Sequence, residues 1–472
     1  MKKRTINIIL AFMLALAMLA ACGVPATAPA EPSTPDAPAT DNTGAVTDDG
    51  EDEPVFTEGV THWQAEEGIV ISFLNRWAQG VDAMYEPMTA AIANFEAEYP
   101  NVSVDFVAIG GADDVQFYER MRTAAAIGDM FDIFQNYGGS TIRSYVEAGI
   151  LLDLTPIFDT DPEWRSSFMD VFSMVEFDGI EGTFGVPLTY FATVLYCNTL
   201  LFDEYGLEIP TTLREFEEVC DAFVAAGVTP IPRSGEGWRW GHWSTGFIMQ
   251  FYGADFIFDL ANRDASPTGP EMMRIADMFL DWQSRGFFGD NIASLDSTTE
   301  SVMFAMGQSP MIAIGTWLPE SVINNNPDLL PHIEVVWFPY DEDRPDLRYG
   351  NMGGPNENLS VSISDNPHVT AATVALLKHM TAADTITEAW VTAPYTPFAI
   401  TTATPPSTMN PLTIRSIELI TSVNPSLMQE WNMYDPIGGM QDIVRNAYAG
   451  MMADGSSQEA MERIQAEIDL HE

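Results

Sequence analysis

Short apolar runs alternating with amphipathic helices constrain this chain more than any other feature. Residues 69–73 form a mostly apolar run of strand length, and Met84, Met88, Ile92, Phe95 and Tyr99 then recur at three- and four-residue spacing, one face of a helix. Pro100 and Asn101 stop that helix, and Val102, Val104 and Phe106 alternate with polar residues as the next strand. A second helix is predicted over 116–127, ended by Gly128, with a third strand over 131–134. This order builds an α/β body on a largely parallel sheet with right-handed crossovers. Ligands of such sheets sit beyond the carboxyl ends of the strands, so the residues just past each strand carry the functional information.

Those residues are Asn75, Arg76 and Trp77 after the first strand and Gln135, Asn136 and Tyr137 after the third. Gly185-Val186-Pro187, Tyr190 and an apolar strand over 193–196 follow. Amides, a planar cation and flat rings suit a polyhydroxylated ligand, whose hydroxyls need fixed donors and acceptors and whose C–H faces lie on aromatic rings.

Charge removes other classes. The 20 Lys and Arg stand against 68 Asp and Glu, a formal net charge of −48. No basic stripe for nucleic-acid phosphates is available, and anionic ligands are disfavoured. Lysine occurs only at 2, 3 and 378, the last in Leu-Lys-His, so no Gly-Lys-Ser/Thr phosphate loop exists for ATP hydrolysis. Such acidity serves solubility rather than fold. With 46% hydrophobic and 11% aromatic residues, the 472-residue chain has enough material for two or three packed domains. No histidine pair has metal-ligand spacing, and Asp159-Thr160-Asp161 and Asp341-Glu342-Asp343 lack the EF-hand pattern. They are read as solvated loops, with no metal and no cofactor expected.

The amino-terminal residues predict export. Lys2, Lys3 and Arg4 precede an apolar run over 8–21, too short to span a bilayer, which ends in Leu19-Ala20-Ala21-Cys22, similar to a bacterial lipobox. The expectation is a signal peptide over 1–21, a lipidated Cys22, and a flexible acidic linker over 22–68. The chain would then sit at the outer face of the cytoplasmic membrane, on the extracellular side, held by its lipid. Cys197 and Cys220 lie in apolar surroundings; export permits a disulfide, and the surroundings favour two buried thiols.

The ordered motifs beyond the linker resemble the extracellular solute-binding protein family 1, the maltose-binding-protein-like receptors of ABC sugar importers. The resemblance is carried by residues 95–100 before Val102, by 126–129 before Phe131-Asp132-Ile133 (without the family's proline), and by Gly185-Val186-Pro187 through Asn198. Leu201-Phe202 to Pro210 continues it, with Thr212-Leu213 where the family has Thr-Trp. Residues 304–307 with Gly315-Thr316-Trp317, then Gly353-Gly354, and finally 440–442 to Ala460, complete it. It implies a two-lobed periplasmic-binding-protein-like fold, each lobe a mostly parallel sheet flanked by helices. The expected lobes are 69–189 with 355–397, and 190–354 with 398–472, with crossings near 187–192, 350–356 and 394–400. It implies a monomer that captures a carbohydrate, expected to be an oligosaccharide, between the lobes and delivers it to ABC permease subunits without chemistry on it. A receptor for a polyol or peptide, and an exported glycoside hydrolase, are the alternatives.

The resemblance places a stacking ring at Trp317, which stands past the apolar strand 311–314, and an aromatic at Tyr190 beside the hinge. Trp238, Trp240 and Trp243 fall in a Gly-rich stretch read as a loop over 234–244, with Trp240 and Trp243 expected at the ligand. Trp77, Asn136 and Tyr137 qualify by lying just past strands. Gly353 and Gly354 suit either close approach to a ligand or a hinge of positive φ, and Asn356 beyond them could donate to a hydroxyl.

Overall fold

The computed structural model describes residues 62–80, 82–110, 115–290, 292–394, 396–423 and 425–471. The expected signal peptide, Cys22 and nearly all of the linker lie outside them. The linker ends earlier than expected, because Trp63 is 3% exposed and packs its ring 4.8 Å from Tyr99. Among the described residues no helix is long and apolar enough to cross a membrane.

Following the chain, β1 (Ile69–Asn75), β2 (Val102–Ala108) and β3 (Ile133–Asn136) pair in parallel, with Ile69 opposite Val102 and Phe73 opposite Ile133. The helix Tyr85–Glu98 connects the first two, burying Met88, Ile92 and Phe95 as their spacing requires. After β4 (Val186–Pro187) the chain leaves this sheet and β5 (Tyr190–Asn198) starts a second one, buried at all nine positions. β6 (Met311–Gly315), β7 (Ile333–Val336) and β8 (Gly350–Pro355) all pair with β5. β9 (Asn358–Val361) returns to the first sheet, and β10 (Ser426–Met428) adds to β8. The sheet orders are β2-β1-β3-β9-β4 and β10-β8-β5-β6, with β7 also on β5.

Two sheets with flanking helices match the expected α/β class. Strand direction differs from the expectation of mostly parallel sheets. β9 runs antiparallel to β3 and β4, and β6, β7 and β8 all run antiparallel to β5, leaving β10 with β8 as the parallel pair described in the second sheet. The physical reason is that β5 is a shared spine: β8 pairs with its first three residues, β7 with its last four, and β6 with its middle.

The segments that pass between the sheets are laced to one another. Leu188 and Thr189 N–H groups donate to the Glu357 carbonyl at 2.8 and 3.2 Å, and Asn356 N–H donates to the Thr189 carbonyl at 2.9 Å. The segment around 397–399 joins them, with Tyr190 N–H donating to the Pro397 carbonyl and Ala399 N–H to the Leu188 carbonyl, both at 2.9 Å. Core membership moves one expected boundary: Phe398, Ile400, Ala403 and Met409 pack with the first sheet's core, while Leu412 and Ile420 pack beneath the second. Gly354 has a φ of +112°, which disfavours any side chain. Gly353 is needed for strand packing, because a Cβ there would meet the Phe191 carbonyl at 2.5 Å.

Cys197 and Cys220 are both buried free thiols, and burial pushes both thiols up from their ordinary pKa.

Candidate functional site

The first sheet presents its polar residues at the carboxyl ends of β1 and β3. Asn75 is buried and turns back to donate to the Trp77 carbonyl at 3.0 Å. Trp77 itself is 5% exposed and belongs to the hydrophobic core, which removes it from the candidate surface. Arg76 takes the position expected of Trp77. Its N–H donates to Gln135 Oε1 at 3.0 Å, and its guanidinium lies 5.2 Å over the Tyr137 ring and 3.4 Å from Glu357. Asn136 donates through Nδ2 to Ser360 Oγ at 2.9 Å and keeps Oδ1 without a protein partner. Tyr137 is half-buried beside Tyr118, ring centroids 6.2 Å apart.

The second sheet presents rings. Trp317 follows β6 and caps the helix Leu318–Asn325. Its indole folds back over the strand end, where a Cβ on Gly315 would meet it at 2.0 Å, so that glycine is what lets the ring lie there. Its centroid is 5.2 Å from Phe191, 6.3 Å from Trp238 and 6.4 Å from His242. Trp238 and His242 are 5.0 Å apart, edge to face. Trp238 and Trp317 are half-buried, whereas Phe191 and His242 are buried behind them. The Trp238 indole donates to Glu236 at 3.2 Å.

Three expected positions change here. The stretch 234–244 is largely helix, Gly237–Phe251, rather than loop. Its glycines are contact surfaces: a Cβ on Gly237 would meet the Arg445 carbonyl at 2.2 Å and one on Gly241 would meet Glu430 Oε2 at 2.3 Å. Trp240 and Trp243, expected at the ligand, are 0% and 3% exposed and pack on Phe279 and Phe288 in the core. Spacing carried this signal, since Trp240, Trp243 and Phe247 share one helix face while Trp238 and His242 share another. Tyr190 is 6% exposed, and burial alone pushes its hydroxyl up to about 12. Asn356 is half-buried and spends its amide on Glu357 at 2.7 Å. Gly354 has open space where a Cβ would stand.

Sequence reasoning names Trp238 but favours Trp240 and Trp243 over it, and it passes over Phe191, His242 and Glu357. His242 lies 3.7 Å from Glu430, yet its pKa is well below the usual imidazole range, through burial first and then the Arg445, Arg239 and Arg233 guanidinia. The ring is therefore neutral, and Nδ1 has no protein partner. Thr316 Oγ1, Ser140 Oγ and Asn432 Oδ1 are likewise buried without protein partners. Ser140 lines a cleft of about 700 Å³ whose walls include Met174 and Phe177 on one side and Phe258, Met433 and Tyr434 on the other. Among the described residues no cluster of His, Cys, Asp or Glu is placed to hold a metal ion.

Glu357 ties the passages between the sheets to Arg76 at the carboxyl end of β1. Thr189 Oγ1 and Asn356 Nδ2 donate to its carboxylate and Arg76 faces it. Burial nevertheless raises its pKa above the ordinary 4.5, outweighing those partners. An acid raised on folding contributes stability that is full below about pH 4.5 and is lost as pH climbs through the raised value. The melting temperature of Glu357→Gln minus that of the parent should therefore grow from pH 4 to pH 7; a difference that stays flat or falls contradicts this account of the carboxylate.

Comparison with known proteins agrees with this arrangement. A family model described as bacterial extracellular solute-binding protein matches residues 77–385. A multiple sugar-binding protein of Streptococcus mutans serotype c is 22% identical over 331 residues, 67% of this chain and 72% of its own length. Among solved structures, one from a study of xylan utilization by the thermophilic bacterium Caldanaerobius polysaccharolyticus superposes with a TM-score of 0.73 at 22% identity, covering 85% of this chain and all of that one. A chitin oligosaccharide binding protein superposes with a TM-score of 0.75 at 20% identity, covering 85% and 98%. The ordered motifs, the two sheets joined by laced passages and the family match over most of the folded body agree: the chain belongs to the bacterial extracellular solute-binding proteins.

Proposed function

We propose that this chain is the capture subunit of an ABC importer, binding a carbohydrate of more than one sugar unit between its two lobes and passing it unaltered to permease subunits. The observation that carries the reading is the pair of half-buried indoles, Trp238 and Trp317, backed by Phe191 and His242. Flat apolar faces with neutral hydrogen-bonding atoms nearby suit a pyranose, whose ring faces are apolar and whose rim carries hydroxyls. Arg76 and Tyr137, both half-buried, supply the opposite side, with Asn136 buried behind them at 2% exposure. The similarity to a multiple sugar-binding protein supports a sugar, and that to a chitin oligosaccharide binding protein supports a chain of sugars. The lipid at Cys22 keeps the receptor at the outer face of the membrane, and the laced passages act as the hinge on which the lobes close.

Tryptophan fluorescence and calorimetry across mono- and oligosaccharides test this directly. Saturable binding that tightens with chain length, with the sugar recovered intact, is the expected result. Silence across the sugars with binding of a polyol or peptide would move the ligand class, and released products would make the protein a hydrolase.

A further inference from the structure

Behind the ring wall lies a group of buried cations that carbohydrate binding does not explain. Arg233 and Arg239 are both 0% exposed, in a chain with only 20 basic residues. One carboxylate, Glu300, is buried with them at 1% exposed. It is already engaged: Ser234 N–H donates to it at 2.9 Å, Arg239 Nε at 3.1 Å, and Arg239 Nη2 bonds its other oxygen. Arg239 also donates to the Ala313 carbonyl at 2.7 Å. Arg233 donates through Nη2 to the Arg239 carbonyl, and its guanidinium lies 3.6 Å over the Trp243 ring and 4.9 Å over Trp240.

The charges do not cancel. Two guanidinia face one carboxylate, and the nearby His242 is held neutral. A guanidinium does not shed its proton to escape burial, so a buried one without a counter-charge is costly. The indole faces offset part of that cost. They cannot satisfy the N–H bonds, which lie in the guanidinium plane. Five nitrogens in this one neighbourhood lack a protein acceptor: Arg233 Nε and Nη1, Arg239 Nη1, and the indole Nε1 of Trp240 and Trp243. All five are donors.

We propose that Arg233, Arg239, Trp240 and Trp243 form a binding site for one small monovalent anion of chloride or bromide size. A halide only accepts, which matches donors that have nothing to accept them, and its charge neutralises the excess guanidinium. Full burial disfavours a larger or polyatomic anion. The site backs the ligand wall, because the Arg239 guanidinium lies 5.0 Å over the Trp238 ring.

Crystals of the sugar-free protein grown in sodium bromide test the site by anomalous scattering. One bromide within hydrogen-bond reach of Arg233 is expected; water alone there, or bromide only elsewhere, overturns the proposal. In solution, melting temperatures are compared in sodium chloride and sodium methanesulfonate at equal sodium, so that screening of the acidic surface cancels. The parent should melt about 3–5 °C higher in chloride, and Arg233→Met should lose that difference. The same anion dependence in Arg233→Met overturns the site, and if that variant does not fold, the bromide map of the parent decides. Neither readout uses sugar, so failure here leaves the carbohydrate reading standing.

Discussion

Trp317→Ala lowers carbohydrate affinity by about 30-fold or more, the loss of about 2 kcal/mol typical of a central aromatic contact. The ring is half-buried, seated over Gly315 and braced by Phe191, so its open face is pre-organised and little ordering cost is incurred on binding. Trp238→Ala should lose affinity to a similar degree, because the two indoles face the same space 6.3 Å apart. Trp317→Phe should recover part of the loss by restoring a flat face. Trp240→Phe is the control, since that ring is 0% exposed and packs on Phe279 and Phe288. It should lower stability while leaving affinity per folded molecule unchanged. Calorimetric titration of the four variants with the best sugar reads all of these, and an unchanged Kd in Trp317→Ala would remove the ring wall from the site.

The largest loss of stability should come from Glu300→Gln. Removing one partner from a buried ion pair leaves an uncompensated charge and costs about 3–5 kcal/mol. Here the variant leaves both Arg239 and Arg233 without a carboxylate, at positions where neither reaches water. Urea unfolding should show a lower midpoint at unchanged slope. Replacing the pair together, as Arg239→Met with Glu300→Leu, should recover only part of that loss, because the two apolar side chains carry no desolvation penalty while Arg233 keeps its buried charge. A Glu300→Gln unfolding free energy within about 0.5 kcal/mol of the parent would show that the carboxylate is not the counter-charge. Because Arg239 also lies behind Trp238, the single variant should weaken sugar binding as well.

Much of this architecture was legible from spacing. β1 and β2 begin where apolar runs predict them, β3 (Ile133–Asn136) lies two residues beyond the predicted 131–134, and the helix Tyr85–Glu98 buries the face that its periodicity marks. Of the residues expected just past strands, Gln135 and Asn136 lie inside β3, while Arg76 and Tyr137 fall just beyond β1 and β3, because the strand ends fix where the backbone emerges. The stretch 234–244 was misread because glycine was taken as a loop former. Gly237, Gly241 and Gly246 instead admit the Arg445 carbonyl, the Glu430 carboxylate and Asn351, none of them near in sequence. Trp77 was misplaced by one residue, which on an irregular segment separates a core side chain from a surface one.

The order of apolar runs determined an α/β chain, and the scarcity of lysine determined that it holds no P-loop phosphate site of its own. Those conclusions depend only on local period and on charge, which no neighbour can alter. Which tryptophans are buried and which stay half-open, which way the strands of the second sheet run, and that two arginines are buried were decided by the tertiary structure alone. Burial is set by the groups that arrive from elsewhere in the chain: Phe279 and Phe288 cover Trp240 and Trp243, whereas Trp238, two residues from Trp240, stays open beside Trp317.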